Sequence, residues 1–263
     1  MNSLWINNLR VFDYEGEKEP LIFVHAFPLS SKMWKQQVEY FQHTHRVITY
    51  DIRGLGESKV SDYQYMMETF VNDFFSVIDN LGLAKVSACG LSMGGYILLR
   101  GLTRNPERFK AVILSDTKAE GDDNDALINR SQSIIEVKNN GLKDFLENFI
   151  KKLITAESFN NQGIYKFLNA IMQEQSPEGI CGAQIAMATR IETLEQLKNI
   201  EVAALIIVGE KDILTPIKYA DNMRNNLKKS DIFIVPGTGH LPNIENPEFF
   251  NHAVFTFLNN LKT

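Results

Sequence analysis

The sequence predicts an α/β fold, a mostly parallel sheet with helices on both faces. Three observations predict it. Six short apolar or β-branched runs end in turn chemistry. Helical stripes lie between them. Strand patterns vanish over one long stretch and then return.

The first runs are Leu21 to Val24 before His25, Arg46 to Tyr50 before Asp51, and Val86 to Cys89 before Gly90. Ala111 to Leu114 follows, before Ser115 and Asp116. Each reads as a buried strand bounded by a turn. Met66, Phe70, Phe74, Val77, Ile78 and Leu81 fall on one helical stripe.

From residue 118 to residue 190 only helical spacing persists. Leu142, Phe145, Leu146, Phe149, Ile150, Leu153 and Ile154 keep i, i+3, i+4 intervals. Ile164, Phe167, Leu168, Ile171 and Met172 repeat them after a break at Asn160 to Gly163. Ser176-Pro177 has the form of an N-cap with proline at the first helical position. The expected division is a core of residues 1–117 and 191–263 with a helical cap, or lid, of residues 118–190. An insertion leaving the carboxyl edge of such a sheet starts beside the ligand crevice. Phe145, Phe149, Phe167 and Met172 are expected to pack as the cap's own core. The run Gly121 to Asp125 reads as a solvated loop or helix start. Beyond the insertion, Leu205 to Val208 is a strand ending at Gly209, and Thr215-Pro216 opens a helix. Ile232 to Val235 is a strand, and Asn246-Pro247 opens the last helix.

A chain of 263 residues, 44% hydrophobic and 22% charged, buries a core without staples and is not a disordered chain. Lys+Arg 27 against Asp+Glu 32 gives a net charge of -5, which provides no general field for phosphate backbones. Nucleic-acid binding is therefore not expected. Cys89 and Cys181 are too few for a disulfide framework or a structural zinc site. No apolar run approaches the roughly 18 residues of a membrane span, and no signal-peptide pattern opens the sequence. The expectation is a cytoplasmic protein acting on a small molecule, with no membrane, cofactor or metal.

The strongest motif is Gly90-Leu91-Ser92-Met93-Gly94-Gly95, set between a strand and a helical run. Chance supplies roughly 0.05 Gly-x-Ser-x-Gly matches in a chain of this composition, before any demand for context. In this context the serine occupies a tight strand-to-helix turn, and the glycines remove Cβ atoms that would collide there. A serine needs a base to take its proton. His240, in a loop after a strand, is the best placed of five histidines. His252 lies in the last helix, His43-Thr44-His45 reads as a solvated turn, and His25 follows the first core strand. The base needs an orienting acid. Asp212 and Asp116 both end strands, and Glu210 is a weaker rival. Asp212 is favoured because its strand directly precedes that of His240. The N–H groups of Met93 and Phe27 are the expected oxyanion donors, since Pro28 cannot donate.

These motifs resemble those of the α/β-hydrolase fold superfamily over essentially the whole chain. The matching segments are HAFP at 25–28, DIRGLGES at 51–58, GLSMGG at 90–95, GEKD at 209–212 and GTGHLPNIENP at 237–247. The likeness is greatest to small carboxylesterases, 3-oxoadipate enol-lactonases and cofactor-free haloperoxidase-like members. It implies an eight-stranded sheet, a lid inserted after the sixth strand, and a triad of Ser92, Asp212 and His240. Ala26 stands where the family usually has glycine, and would be strained if that position required positive φ. Asp51 and Arg53, with Gly54 and Gly56, are expected to tie a loop by an ion pair and tight turns. Phe27, Leu29, Met93 and Leu241 are expected to line the substrate pocket. The expected activity is hydrolysis of a small ester or lactone through an acyl-enzyme. Alternatives on the same scaffold are C–C bond hydrolysis, a lyase or perhydrolase step, or a small-ligand receptor.

Overall fold

A computed structural model describes residues 1–16, 18–60 and 65–261. The chain begins with β1 (Asn2–Ile6) and β2 (Leu9–Asp13), an antiparallel hairpin in which Ile6 pairs with Leu9. Its two-residue turn is Asn7-Asn8, with φ of 48° and 70°. Asparagine tolerates positive φ, and such a turn matches the twist of the strands it joins. This hairpin is absent from the sequence expectation.

There follow β3 (Pro20–Val24), α1 (Lys35–Phe41), β4 (Arg46–Tyr50), α2 (Met67–Asn80), β5 (Val86–Leu91), α3 (Met93–Arg104) and β6 (Phe109–Ser115). Five helices come next: α4 (Asn124–Asn140), α5 (Lys143–Leu153), α6 (Ala156–Asn160), α7 (Gln162–Gln173) and α8 (Pro177–Ala188). The chain ends with β7 (Ala203–Gly209), α9 (Ile217–Asn226), β8 (Ser230–Val235), α10 (Pro242–Glu245) and α11 (Pro247–Asn260).

All eight strands form one sheet in the order β1-β2-β4-β3-β5-β6-β7-β8. The β1–β2 and β2–β4 pairs are antiparallel and the other five are parallel. The central strands are buried on both faces, which is why they read as unbroken apolar runs: Leu21, Ile22, Phe23 and Val24 are all fully buried. Phe23 packs on Trp34 at 4.9 Å between ring centroids, and Trp34 on Phe250 of α11 at 6.1 Å. Phe74 of α2 stacks on Phe109 of β6 at 5.7 Å. Parallel pairing brings the loops after β3, β5, β6, β7 and β8 to one carboxyl edge, where His25, Ser92, Asp116, Asp212 and His240 all emerge.

The stretch between β6 and β7 is helical, as the spacing predicts. Its two ends meet, the Thr193 N–H donating to the Ala119 carbonyl at 2.8 Å. Caps explain where its helices start. Asp123, Asn161 and Ser176 accept from the backbone at the heads of α4, α7 and α8. Among the described residues no helix is long and apolar enough to cross a membrane.

The loop after β4 differs in detail from expectation. Asp51 does not pair with Arg53. Its oxygens accept from the N–H groups of Ser31 at 2.7 Å and Glu57 at 2.8 Å, while Arg53 pairs with Asp73 of α2 at 2.7 Å. A buried carboxylate meeting oriented backbone donors is well satisfied without a cation.

Candidate active site

Ser92 is the single residue between β5 and α3. Its φ of 55° and ψ of -114° are strained for a residue carrying a Cβ. Glycines make the turn possible. A Cβ on Gly90 would stand 2.5 Å from the Gly94 carbonyl oxygen, and one on Gly94 would overlap the Val24 carbonyl. The Ser92 N–H donates to the Ser115 carbonyl at 3.0 Å, and Thr117 Oγ1 donates to the Ser92 carbonyl at 2.9 Å. The elbow is thereby pinned to β6. Gly94→Ala is expected to destabilise the fold by about 1–3 kcal/mol, the ordinary cost of overpacking. At about 2–4 °C per kcal/mol this shows in thermal unfolding, and an unchanged Tm would contradict the reading.

His240 sits in the loop after β8, and its N–H donates to the Leu153 carbonyl of α5 at 3.0 Å. Its Nδ1 lies 2.8 Å from Asp212 Oδ2. Asp212 Oδ1 also accepts from the N–H groups of Leu214 at 2.8 Å and Thr215 at 3.1 Å. Thr215 Oγ1 donates to Oδ2 at 2.6 Å. Burial by itself would raise the Asp212 pKa, but His240 and the Thr215 donors outweigh it and hold the carboxyl well below the usual range. An ionised acceptor at Nδ1 keeps the imidazole proton there and leaves Nε2 as the basic nitrogen. His240 and Ser92 line the same cavity, of about 200 Å³.

The rival acids are placed differently. Asp116 Oδ2 accepts from Ser115 Oγ at 2.6 Å, and its Oδ1 accepts from the Gly209 N–H at 2.8 Å. Burial, reinforced by Asp212, pushes its carboxyl well above the usual range. Glu210 is exposed, and its Oε2 accepts from the Gly237 N–H at 2.7 Å. Ligand atoms of Asp116, Asp212 and His240 lie within 4.8 Å of one another, close enough to share a cation. Both carboxylates are already met by protein donors, Asp116 by Ser115 and Gly209 and Asp212 by Leu214, Thr215 and His240.

Among the described residues, the N–H groups of Phe27 and Met93 find no acceptor within the protein. Met93 opens α3, where unpaired N–H groups and the helix dipole favour an anion. Ala26 is not among the residues with positive φ, so alanine is unstrained there. Its N–H contacts Met33 Sδ at 3.2 Å. His25 is structural: it is fully buried, its Nε2 accepts from the Ile52 N–H at 2.8 Å, and Nδ1 donates to the Ala26 carbonyl at 2.9 Å. Burial lowers its pKa and favours this neutral form. His43 and His252 are exposed. His45 is buried against Phe41 rather than solvated, because the turn folds it back onto α1.

The cavity walls depart from the sequence expectation. Phe27 lines the cavity, but Leu29 and Leu241 do not. Both are fully buried in the hydrophobic core instead. Met93 is likewise fully buried and does not line the cavity. Tyr96, Leu214 and Thr215 line the cavity from the core, and Phe149, Met187, Ala126, Lys118, Asp122 and Arg130 line it from the insertion. Phe149 therefore serves the cavity as well as the insertion's packing, meeting Phe27 edge-on at 5.5 Å. Asp122 is not solvated: its side chain is 2% exposed and pairs with Arg130 and Arg190. A larger groove of 420 Å³, lined by Tyr14, Lys35, Glu39 and Phe167 among others, touches none of Ser92, Asp212 and His240.

A family model described as alpha/beta hydrolase fold matches residues 19–247. The chain belongs to the α/β-hydrolase fold family. Among relatives of this hydrolase, "AB hydrolase superfamily protein YisY" of Bacillus subtilis is 30% identical over 257 residues, covering 93% of each chain. "3-oxoadipate enol-lactonase 2" of Acinetobacter baylyi is 28% identical over 241 residues, covering 91% of this chain and 88% of its own. A thermophilic esterase from Thermogutta terrifontis superposes with a TM-score of 0.94 at 30% identity, covering 100% of both chains. The hydrolase scaffold and enzyme class expected from the motifs are both supported by these relatives.

Proposed function

We propose that this hydrolase cleaves a small ester or lactone through a covalent acyl-enzyme on Ser92. The observation that carries the reading is the Asp212–His240 hydrogen bond of 2.8 Å, with His240 and a strained Ser92 lining one cavity. Ser92 Oγ attacks the carbonyl carbon while His240 Nε2 takes its proton. Asp212 holds the imidazole by Nδ1 and offsets its charge as it becomes imidazolium. The N–H groups of Met93 and Phe27 meet the oxyanion. His240 returns its proton to the departing alkoxide; water, deprotonated in turn by His240, cleaves the acyl-enzyme, and His240 gives that proton to the departing Ser92 Oγ.

Residues 118–190 act as the cap on a core of residues 1–117 and 191–263. Six of the cavity's lining residues come from that insertion, and α5 holds the His240 loop through Leu153. A wall of this kind excludes water and selects by size. The relatives named enol-lactonase and esterase support bond type and scale.

The test is a panel of 4-nitrophenyl acetate, butyrate and octanoate, a six-membered lactone and a β-diketone. Acetate, butyrate and lactone should be cleaved. The octanoate should be poor, because a cavity of about 200 Å³ is small for its chain. Cleavage of the diketone with esters and lactone untouched would overturn the proposal.

A further inference from the structure

The insertion's side of the cavity carries an excess of positive charge. Asp122 is shared by three cations: Arg130 Nε at 2.5 Å, Arg190 Nη2 at 2.7 Å and Lys118 Nζ at 3.8 Å. One carboxylate against three cations leaves two positive charges uncompensated within this cluster. The cluster is mostly out of water, with side chains 13% exposed at Lys118, 18% at Arg130 and 4% at Arg190. Among the described residues none of the other acids nearby forms an ion pair with the three cations. Asp212 is turned to His240 and Thr215, Asp123 caps α4 at the surface while its charge still acts on Lys118, and Glu120 accepts from Asn222 Nδ2 at 2.6 Å through Oε1 and leaves Oε2 without a hydrogen bond.

The cations are not equally free. Arg190 lies over the Tyr96 ring at 4.2 Å and donates to the Met187 carbonyl at 2.9 Å. Arg130 is held by Asp122 and by Gln184 Oε1, which accepts from Nη1 at 2.9 Å. Lys118 is different. Among the described residues its ammonium makes no hydrogen bond, and it stands over the Tyr219 ring at 5.1 Å. Burial and the charge of Arg190 push its pKa down, as befits an ammonium short of negative charge. Lys118 and Arg130 both line the cavity that holds Ser92 and His240. Phe27, Phe149, Met187 and Leu214 give the same cavity an apolar lining.

We infer that this cavity takes substrates carrying a carboxylate, bound by the Lys118 ammonium with Arg130 beside it. The apolar wall takes the rest of the molecule. A small ester or lactone with one free carboxylate fits both walls. Charge-assisted hydrogen bonds in a site largely closed to water are strong, and the uncompensated charge makes the carboxylate the natural partner. The inference rests on the proposed hydrolysis for what becomes of the ester, but its binding half is separable.

The test uses the Ser92→Ala protein, so that no turnover is needed, with monomethyl succinate and dimethyl succinate as probes in titration calorimetry. Monomethyl succinate should bind at least about tenfold more tightly, a fold-change typical of one added charge-assisted contact. Lys118→Met in the same background should erase that preference, and Lys118→Arg should keep much of it. Equal binding of the two esters, no binding of the monoester, or a preference unchanged in Lys118→Met would each overturn the carboxylate site. Because the readout is binding, it is independent of the ester panel: loss of the hydrolytic reading would leave this result standing, and the reverse.

Discussion

Ser92→Ala is expected to lower kcat for a cleaved ester by about a million-fold, the scale seen when a triad nucleophile is removed. Among the described residues no other side chain bearing a hydroxyl has positive φ. Ser92 carries the φ of 55° that lifts its side chain out of the turn at the head of α3. Alanine is the informative substitution because it keeps the Cβ and therefore the same backbone strain. Glycine would relieve that strain and mix a stability gain into the result. The Ser92→Ala protein should unfold within a few degrees of the parent, by thermal denaturation. Residual kcat within about a hundredfold of the parent would show that another group starts the reaction.

The second large effect separates two acids close enough to be confused. Asp212→Asn is expected to reduce kcat by about 10³–10⁴, since an amide at that position fixes the wrong imidazole tautomer. Asp116→Asn should cost little, because its oxygens meet Ser115 and Gly209 and make no hydrogen bond to His240. Steady-state kinetics on both variants checks this, and the opposite pattern would transfer the acid's role to Asp116. The two residues also have opposite signs in stability. The depressed pKa of Asp212 contributes stability present above the ordinary carboxylate pKa and lost as pH falls through its folded value. The raised pKa of Asp116 favours folding below the ordinary carboxylate pKa, and that contribution is lost as pH rises through its folded value. Asp116→Asn should therefore gain Tm relative to the parent as pH is raised. A loss growing with pH would contradict the burial argument.

The central strands were legible because burial on both faces leaves a simple trace, as in Leu21 to Val24. The N-terminal hairpin was not. Its strands are half exposed, so their alternation is short, and its turn is Asn7-Asn8 rather than a glycine-bearing pair. The elbow was legible through its glycines, since Gly90 and Gly94 each remove a Cβ that would strike a backbone carbonyl. The cavity wall was not, because which side of a helix faces a cavity is decided by its docking. Phe145 and Phe149 lie on one stripe of α5 and both meet Phe27, yet only Phe149 of the two lines the cavity. Lys118, Arg130 and Arg190 have no periodic relation in the sequence. The fold gathers them on Asp122, within a run that reads as a plain charged loop.

The central claim is that Ser92 is the covalent nucleophile driven by His240 and Asp212. Labelling with a fluorophosphonate, followed by digestion and mass spectrometry, tests it most directly. One adduct on the peptide containing Ser92, absent from Ser92→Ala and formed much more slowly in Asp212→Asn, is the expected result. An adduct on a different residue, or labelling that persists in Ser92→Ala, would contradict it.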